Sequence, residues 1–265
     1  MSKGTALITG ASSGIGAVYA EKLAGRGYDL VIVARDVERL SALSKRLSQA
    51  HGVAITPLPA DLAKAVDLSR VLASLQENSS VRLLVNCAGI GPKVAVLASE
   101  VEGLLDMVHL NVDVLHALTI TAAKVFADRG EGAIINIASV VALMPEHFHA
   151  TYVASKAFVL ALTQALEVEL KPKGVQIQAV LPGFTRTEIF DRAGIDIEVI
   201  PQDMMMEASE MVEAALAGFD QGELVTIPSL ADVRLWERLN EARGNLAPHL
   251  SLRHAAARYA VGSTA

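Results

Sequence analysis

TALITGASSGIG, residues 5–16, is the most informative segment of this 265-residue chain. It begins with an apolar run typical of a buried strand and ends where a helical pattern begins. Between the two, Gly10, Gly14 and Gly16 permit a tight turn and let an anionic group approach the helix N-terminus. The TGxxxGxG spacing differs from GxGxxG, and no lysine follows as in a P-loop. A glycine-rich turn without a ligand is the alternative, but a turn that follows the first strand of a βαβ unit favours phosphate binding.

Short apolar runs alternate with longer helical segments along the rest of the chain. The runs are continuous, which is typical of strands that are buried on both faces of a parallel sheet. This alternation predicts an α/β fold, with a doubly wound, Rossmann-type sheet of about seven parallel strands flanked by helices. The predicted strands are 5–9, 29–34, 53–59, 82–86, 133–138, 175–181 and 224–227. The predicted helices are 15–26, 37–50, 64–77, 100–128, 151–170 and 207–220.

No low-complexity linker or break in composition divides the chain, so we expect a single domain over residues 1–265. The alternation stops at 184–206 and again after Pro228. We expect residues 229–265 to form a C-terminal extension, with one further helix in LADVRLWERLNEAR at 230–243.

The composition argues against several classes of protein. Apolar residues make up 52% and charged residues 20%, which allows a large core and argues against extended disorder. A net charge of −6 without a basic stripe argues against nucleic-acid binding. Cys87 is the only cysteine, so no internal disulfide forms and a reducing compartment is indicated. Without a signal pattern or a long uncharged apolar run, we expect a cytoplasmic protein with no membrane partner.

The end of the second predicted strand, VIVARD, bears on which ribose a dinucleotide would present. An acid at this point accepts hydrogen bonds from a 2′-hydroxyl, whereas an arginine can bind a 2′-phosphate. Here Ala34 is followed by Arg35 and then by Asp36. We predict that Arg35 favours NADP, with NAD held through Asp36 as the alternative.

Tyr152 and Lys156 lie four residues apart near the start of the predicted helix 151–170. This spacing places both side chains on one helix face. The pair alone is weak evidence, because a lysine beside an amphipathic tyrosine is a common arrangement at a protein surface.

Seven motifs together resemble the short-chain dehydrogenase/reductase family, from Lys3 to about Pro228. They occur in the order found in the family. The motifs are TGASSGIG at 9–16, AD at 60–61, NCAG at 86–89, Asn111, Ser139, YVASK at 152–156 and PGFTRT at 182–187. The family usually has NNAG, so Cys87 replaces its second asparagine.

The resemblance implies four catalytic residues: Asn111, Ser139, Tyr152 and Lys156. Tyr152 would exchange a proton with the carbonyl or alcohol oxygen, its pKa lowered by Lys156 and by the positive ring of the oxidised cofactor. Ser139 would polarise the carbonyl, and Asn111 would mark a helix distortion that holds a water connected to Lys156. No zinc-like cluster is present, so we expect no metal.

The resemblance also implies an NADP(H) site. It would include Tyr152 and Lys156, which would bind the nicotinamide ribose. The other implied residues are Gly10, Ser12, Ser13, Gly14, Ile15, Gly16, Arg35, Asp61, Leu62, Asn86, Ala88, Gly89, Pro182, Gly183, Thr185 and Thr187. For Asp61, an N-cap of the following helix is a further interpretation that is compatible with an adenine contact.

In the family, the segment that corresponds to 184–206 forms a flap over the substrate. The residues expected to contact the substrate are Met144, Phe148, Phe184 and Phe190. Such an apolar wall suits a hydrophobic ketone or aldehyde and its alcohol. Helix 151–170 is apolar on more than one face and packs against a second subunit in this family, so we expect a homodimer or homotetramer.

Two other functions remain open at this point. One is reduction of a 3-ketoacyl thioester, for which a basic docking patch is expected, but Arg129, Lys171 and Lys173 are scattered in the sequence. The other is a non-catalytic module that senses NADP and binds it without turnover. The four implied catalytic residues argue against that module.

Overall fold

The computed structural model describes residues 3–188, 197 and 200–259. The chain forms two compact units, Met1–Pro228 and Ser229–Ala265. The first unit contains the α/β sheet and every predicted site residue. A single domain that includes the C-terminal extension stays a prediction.

A seven-stranded parallel sheet is the centre of the first unit, as predicted. Two further two-residue strands pair with each other and form a separate small sheet. The strands are β1 (Thr5–Thr9), β2 (Asp29–Ala34), β3 (Ile55–Pro59), β4 (Val81–Asn86), β5 (Gly132–Ile137), β6 (Val175–Val180), β7 (Thr185–Arg186), β8 (Met206–Glu207) and β9 (Val225–Thr226). The large sheet has the order β3-β2-β1-β4-β5-β6-β9. The chain adds strands in one direction from β1 to β3 and in the opposite direction from β4 onward, so the strand order reverses between β1 and β4. Ligands of such sheets bind at the carboxyl ends of the strands beside this reversal.

The helices of the first unit cover both faces of the sheet. They are α1 (Gly14–Gly25), α2 (Val37–His51), α3 (Ala65–Glu77), α4 (Val101–Val108), α5 (Leu115–Arg129), α6 (Ala150–Leu170) and α7 (Ala208–Asp220). Five of the six predicted helices agree with observed helices to within one residue at each end. The sixth, 100–128, is divided into α4 and α5. A π-helical segment, His109–Val114, separates α4 from α5.

Successive residues of the strands pack on opposite faces, because side chains alternate along a strand. Ile8 and Ile32 lie in the core against α1, α2 and α7. Leu7 and Val33 lie in the core against α3 and α5. Both faces are therefore dry, which explains why the strands read as continuous apolar runs.

One helical stretch among the described residues, Val101–Arg129, has the length and composition of a membrane span. This evidence is weak, since buried core helices meet the same criteria. In this fold the stretch includes α4 and α5, and Leu118 and Phe126 of α5 are buried in the core. The absence of a membrane partner stays a prediction.

The second unit contains the further helix that the sequence predicts. This helix, α8 (Arg234–Gly244), begins four residues later than the segment that suggested it. The Asp232 carboxylate accepts from the Arg234 backbone N–H at 3.1 Å and so helps to satisfy the start of this helix.

Candidate active site

The glycine-rich turn joins β1 to α1 at the reversal of the sheet. Gly10 and Gly14 have φ angles of +68° and +53°, which glycine adopts at little cost. A Cβ on Gly16 would lie 2.4 Å from the Gly10 carbonyl oxygen, and one on Gly10 would lie 2.9 Å from the Ala88 nitrogen. The turn is therefore too close-packed for side chains, and the first N–H groups of α1, at Gly14, Ile15 and Gly16, are available to an anion.

Ser12 and Ser13 occupy the turn itself. Ser13 immediately precedes α1 with an extended backbone, and its side chain does not cap the helix. Thr187 lies against the same turn, since its Cβ would be 3.3 Å from a Cβ on Gly14. The segment that follows β6 thus returns to the glycine-rich turn.

Thr9 fastens the end of β4 to the end of β1. Its hydroxyl accepts from the backbone N–H groups of Cys87 and Ala88, at 3.0 and 3.1 Å. The same hydroxyl donates to the Val85 carbonyl at 3.4 Å. These bonds hold Ala88 and the following Gly89 beside the glycine turn without a second asparagine at position 87.

Asn86 has its side chain in the core and not in the cleft. Its Nδ2 donates to Thr119 Oγ1 at 3.0 Å and to Asn136 Oδ1 at 2.9 Å. Asn136 in turn donates to Thr163 Oγ1 at 3.0 Å. This network joins β4, α5, β5 and α6, so a contact of Asn86 with a dinucleotide would involve its backbone.

The first turn of α6 carries Tyr152 and is capped by His149. The Nδ1 atom of His149 accepts from the Tyr152 backbone N–H at 3.4 Å, which satisfies one of the free donors of the first turn. The sequence did not predict this cap, because serine, threonine, aspartate and asparagine are the preferred residues there.

Ser139, Tyr152 and Lys156 meet at the carboxyl end of β5. Ser139 follows β5 by two residues, and its hydroxyl lies near the Tyr152 phenol, whose pKa it lowers. The Lys156 Nζ donates to the Ile137 carbonyl at 2.9 Å and lies 5.7 Å from the centre of the Tyr152 ring. The strand end and the first two turns of α6 therefore bring the three predicted residues together.

Burial dominates the proton affinities of this cluster. Burial raises the pKa of the Tyr152 phenol to about 12, and the hydrogen bond with Ser139 lowers it. Burial lowers the pKa of the Lys156 ammonium to about 8, and Cys87 raises it. Lys156 was expected from the sequence to lower the pKa of Tyr152, but in the protein alone the loss of phenolate hydration is the larger effect. The phenol is thus protonated at neutral pH.

Asn111 lies at the π-helical break between α4 and α5. Its side chain makes two bonds with the backbone of Ile90, each of 2.9 Å, and donates to Ser155 Oγ at 3.3 Å. A Cβ on Gly89 would lie 3.1 Å from Asn111 Oδ1 and 3.8 Å from Lys156 Nζ. The predicted helix distortion is present next to Lys156, whereas the water relay stays a prediction.

A cavity of about 300 Å³ lies at the carboxyl ends of β2 and β3. Its lining consists of Arg35, Pro59, Ala60, Asp61, Lys64 and Asp67. Asp36 is the N-cap of α2, where its carboxylate accepts from the Arg39 N–H at 2.9 Å and pairs with Arg39 Nε at 3.4 Å. Of the two charged residues after β2, only Arg35 therefore lines the cavity.

Asp61 does not cap α3, contrary to one interpretation of the sequence. The N-cap is Lys64, and Asp61 Oδ1 accepts from the Ala63 N–H at 3.3 Å within the preceding turn. Asp61 still lines the cavity, as an adenine contact requires, and the adjacent Leu62 is buried.

The segment after β6 brings the PGFTRT motif to the cluster. The Pro182 carbonyl accepts from the Ser139 hydroxyl at 3.3 Å. The Thr185 hydroxyl donates to the Gly183 carbonyl at 3.1 Å, and Thr187 continues to the glycine-rich turn. These bonds fix one edge of the cleft to the catalytic cluster.

The two ends of the predicted flap, 184–206, are held together by the small sheet. Arg186 in β7 pairs with Glu207 in β8 at 2.7 Å. Glu188 then pairs with Arg39 of α2 at 2.7 Å, so the stem of the flap is also fixed to the second helix. The flap residues 189–196, 198 and 199 lie outside the described residues.

Three of the four residues expected to contact the substrate lie among the described residues. Met144 and Phe148 lie between Ser139 and α6, and both side chains are exposed, at 46% and 39%. Phe184 lies in the stem of the flap, where its carbonyl accepts from the Met206 N–H at 2.9 Å. Phe190 lies outside the described residues. Among the residues described, no group of histidine, cysteine and acidic side chains is placed to hold a metal ion.

Comparison with known proteins places the chain in a family. The family described as short chain dehydrogenase matches residues 4–197. The chain therefore belongs to the short-chain dehydrogenase/reductase family of oxidoreductases.

Two solved structures resemble the whole chain. A short-chain dehydrogenase from Sphingobium yanoikuyae in complex with NADPH is 47% identical, with a TM-score of 0.93 and coverage of 97% of this chain and 100% of that chain. A bulky-bulky ketone specific alcohol dehydrogenase from Comamonas testosteroni is 44% identical, with a TM-score of 0.90 and coverage of 97% and 98%.

Curated relatives match a smaller part. Very-long-chain 3-oxoacyl-CoA reductase-B of Danio rerio is 31% identical over 188 residues, which are 69% of this chain and 60% of that protein. The 17-beta-hydroxysteroid dehydrogenase type 3 of Homo sapiens is 32% identical over 179 residues, 67% and 57% of the two chains. The chain thus spans less than two thirds of the length of these relatives.

Proposed function

We propose that the protein is an NADP(H)-dependent oxidoreductase that interconverts a hydrophobic ketone or aldehyde and its alcohol. The observation that carries this proposal is the meeting of Ser139, Tyr152 and Lys156 beside the glycine-rich turn. A phenol that stays protonated at neutral pH is suited to donate a proton to a carbonyl oxygen.

The groups at the turn fit a dinucleotide. Gly16 packs directly against Gly10, so no side chain of these residues covers the N-terminus of α1, where a pyrophosphate would bind. Arg35 lines a cavity at the end of β2. NADPH, when bound, supplies the hydride for carbonyl reduction. The neighbour from Sphingobium yanoikuyae in complex with NADPH supports the choice of NADP.

The chain's own residues would then provide the acid–base chemistry. The Ser139 O–H, which donates to the Pro182 carbonyl in this structure, would turn to donate its hydrogen bond to the substrate oxygen when substrate binds. Tyr152 would give its proton to that oxygen during reduction and accept it during oxidation. Lys156, whose Nζ is oriented by the Ile137 carbonyl, would stabilise the resulting phenolate and bind the ribose. The Asn111 distortion would connect Lys156 to solvent protons through water.

Two observations support a hydrophobic substrate. Met144 and Phe148 expose large apolar side chains in the segment that joins Ser139 to α6, the helix that carries Tyr152. The neighbour from Comamonas testosteroni is named as specific for ketones with two bulky groups, and its similarity extends over 97% of this chain. We propose that one wall of the substrate site includes Met144, Phe148 and Phe184.

Cofactor choice is tested by Arg35→Ala. The variant is expected to lower kcat/KM for NADPH about 10- to 100-fold, the loss of one charged hydrogen bond, with NADH changed much less. Adding Ala34→Asp repels a 2′-phosphate and offers the free ribose an acceptor, so the double variant should prefer NADH. Arg46→Ala, an exposed arginine of α2, is the control at fixed ionic strength.

Two results would contradict the assignment of NADP. One is a wild-type protein that prefers NADH. The other is an equal loss for both cofactors in Arg35→Ala, which would mean that Arg35 acts without a 2′-phosphate.

Reduction of a 3-ketoacyl thioester is the second candidate, supported by the similarity to the reductase of Danio rerio. The cations considered for a docking patch do not favour it. Arg129 precedes β5 and Lys171 precedes β6, so both lie at the amino ends of the strands, opposite the catalytic cluster. Lys171 also pairs with Glu167 at 3.0 Å. A thioester that is reduced faster than simple ketones would favour this second function.

We also propose that the protein is a homodimer or homotetramer that associates through α6. Ala154, Ala161, Ala165 and Val168 form an exposed apolar stripe on this helix. Ala161→Glu would place an unpaired charge in such an interface and is expected to shift the protein to monomers. Sedimentation velocity measures the shift, with Ala42→Glu on the exposed face of α2 as the control. An unchanged mass for Ala161→Glu would remove α6 from the interface.

We propose a cytoplasmic location, which the free thiol of Cys87 supports. Cell fractionation tests it, and recovery of the protein in a membrane or secreted fraction would contradict it.

A further inference from the structure

We propose that Lys64 is a second cation for the 2′-phosphate of the dinucleotide, facing it together with Arg35. This inference rests on the proposed use of NADP. Lys64 belongs to none of the sequence motifs, so only the fold indicates this role.

The pairing of β2 with β3 brings the loops that carry Arg35 and Lys64 next to each other. Ala34 pairs with Pro59, and the Ala60 N–H donates to the Ala34 carbonyl at 2.9 Å. Arg35 follows Ala34 directly, and the Lys64 N–H donates to the Asp61 carbonyl at 2.8 Å. The two loops are therefore adjacent at the carboxyl edge of the sheet, and both side chains line the same cavity.

Both cations are available for a ligand. In the part of the chain that the structure describes, neither Arg35 nor Lys64 has an ion-pair partner. Arg39, by contrast, pairs with Asp36 and Glu188. Two cations that share a cavity repel each other, and a dianionic phosphate would remove that repulsion.

The cavity contains two acidic residues, Asp61 and Asp67, and they would repel a phosphate to different degrees. Asp67 Oδ1 pairs with Arg70 at 3.0 Å, and its Oδ2 accepts from the Asp61 N–H at 2.8 Å. Arg70 also donates to the Pro59 carbonyl at 2.6 Å, which fixes the pair. Asp67 is thus neutralised, and two cations face the single carboxylate of Asp61.

Binding of adenosine 2′,5′-bisphosphate and of adenosine 5′-monophosphate to the full chain tests this role. The two probes differ only in the 2′-phosphate, and calorimetry measures both affinities at fixed ionic strength without turnover. Lys64→Ala is expected to weaken binding of the bisphosphate about 3- to 10-fold, because its contribution should lie between that of an exposed ion pair and that of a charged hydrogen bond. The affinity for the monophosphate should change less than about twofold. Lys64→Arg should restore most of the affinity. Lys45→Ala, an exposed lysine of α2, is the control for net charge.

The outcomes separate this inference from the proposed function. If the wild type prefers the bisphosphate but Lys64→Ala behaves like Lys45→Ala, Lys64 has no such role and NADP use stands. An equal loss for both probes would also overturn the role. If the wild type binds both probes equally, the proposed use of NADP fails, and the role of Lys64 fails with it.

Discussion

Tyr152→Phe is expected to lower the rate of carbonyl reduction by about 10²- to 10⁴-fold, the usual contribution of a positioned acid or base. The change removes only the hydroxyl beside Ser139, whereas the ring beside Lys156 is kept. Affinity for NADPH should therefore change little. Single-turnover absorbance of NADPH and fluorescence titration measure the two quantities.

Tyr19→Phe is the matched control for Tyr152→Phe. Tyr19 is fully buried in the core, and its hydroxyl has no partner among the described residues. Its removal should leave turnover unchanged and should not destabilise the protein, because a buried hydroxyl without a bond is unfavourable. Turnover of Tyr152→Phe within a few-fold of the wild type would show that another group donates the proton.

Lys156→Met is expected to lower kcat/KM for reduction about 10²- to 10³-fold, a loss comparable to removing one charge-stabilising donor from an active site. The phenolate that forms would lose its neighbouring cation, and the ribose would lose a donor. Lys124→Met, at an exposed lysine of α5, should behave as the wild type. Equal activity in the two variants would exclude Lys156 from the reaction.

The pH dependence of stability gives Lys156→Met a second readout. Burial lowers the pKa of Lys156 from 10.5 in the unfolded chain to about 8 in the fold. Between these values the unfolded state binds more protons, so this group makes the unfolding free energy of the wild type rise with pH. The slope is at most about 1.4 kcal/mol per pH unit and is absent in the variant.

Any stability advantage of Lys156→Met at neutral pH should therefore shrink as the pH rises from about 8 to 10.5. Denaturant unfolding of both proteins across this range measures the change. A constant difference between the two proteins would mean that Lys156 titrates alike in the folded and unfolded states.

The architecture was predicted well from the sequence, because a strand that is buried on both faces consists almost entirely of apolar residues. Continuous apolar runs such as 29–34 identify strands covered on both faces, and the glycine-rich turn identifies the first crossover. The sequence predicted a single helix over 100–128, because an apolar pattern does not reveal the extra residue of a π-helical turn. Asn111, a poor helix former, was the one local signal of that break.

The direction of the Asn86 side chain was not predicted from the sequence. Asn86 pairs with Asn136 across β4 and β5, in phase with Leu84 and Ile134, which face α5. The two-residue period of the strands was thus a usable signal for the buried amide network. The partners Thr119 and Thr163 come from two different helices, and no local pattern predicts which helical threonines meet a strand.

Thr9 and Lys64 were missed for a similar reason, because each acts through a contact between segments that are close only in the fold. His149 caps its own helix and was missed because histidine is not a preferred N-cap residue. Thr9 joins β1 to the end of β4, and Lys64 reaches the cavity of Arg35 because β2 and β3 are neighbours. The order of the motifs in the sequence locates the cleft. Which other residues contact the cleft is decided by the register of the strands, because the register determines which segments are adjacent.

NADPH-dependent carbonyl reduction with Tyr152 as the proton donor can be followed in a single turnover. The experiment is stopped-flow mixing of the wild-type NADPH complex with a panel of bulky ketones at limiting cofactor. We expect loss of one equivalent of NADPH absorbance per site with at least one ketone, and no comparable loss in Tyr152→Phe or with an NADH complex. Tight NADPH binding with no loss of absorbance for any carbonyl compound, thioesters included, would contradict the claim and would identify a module that binds NADP without turning it over.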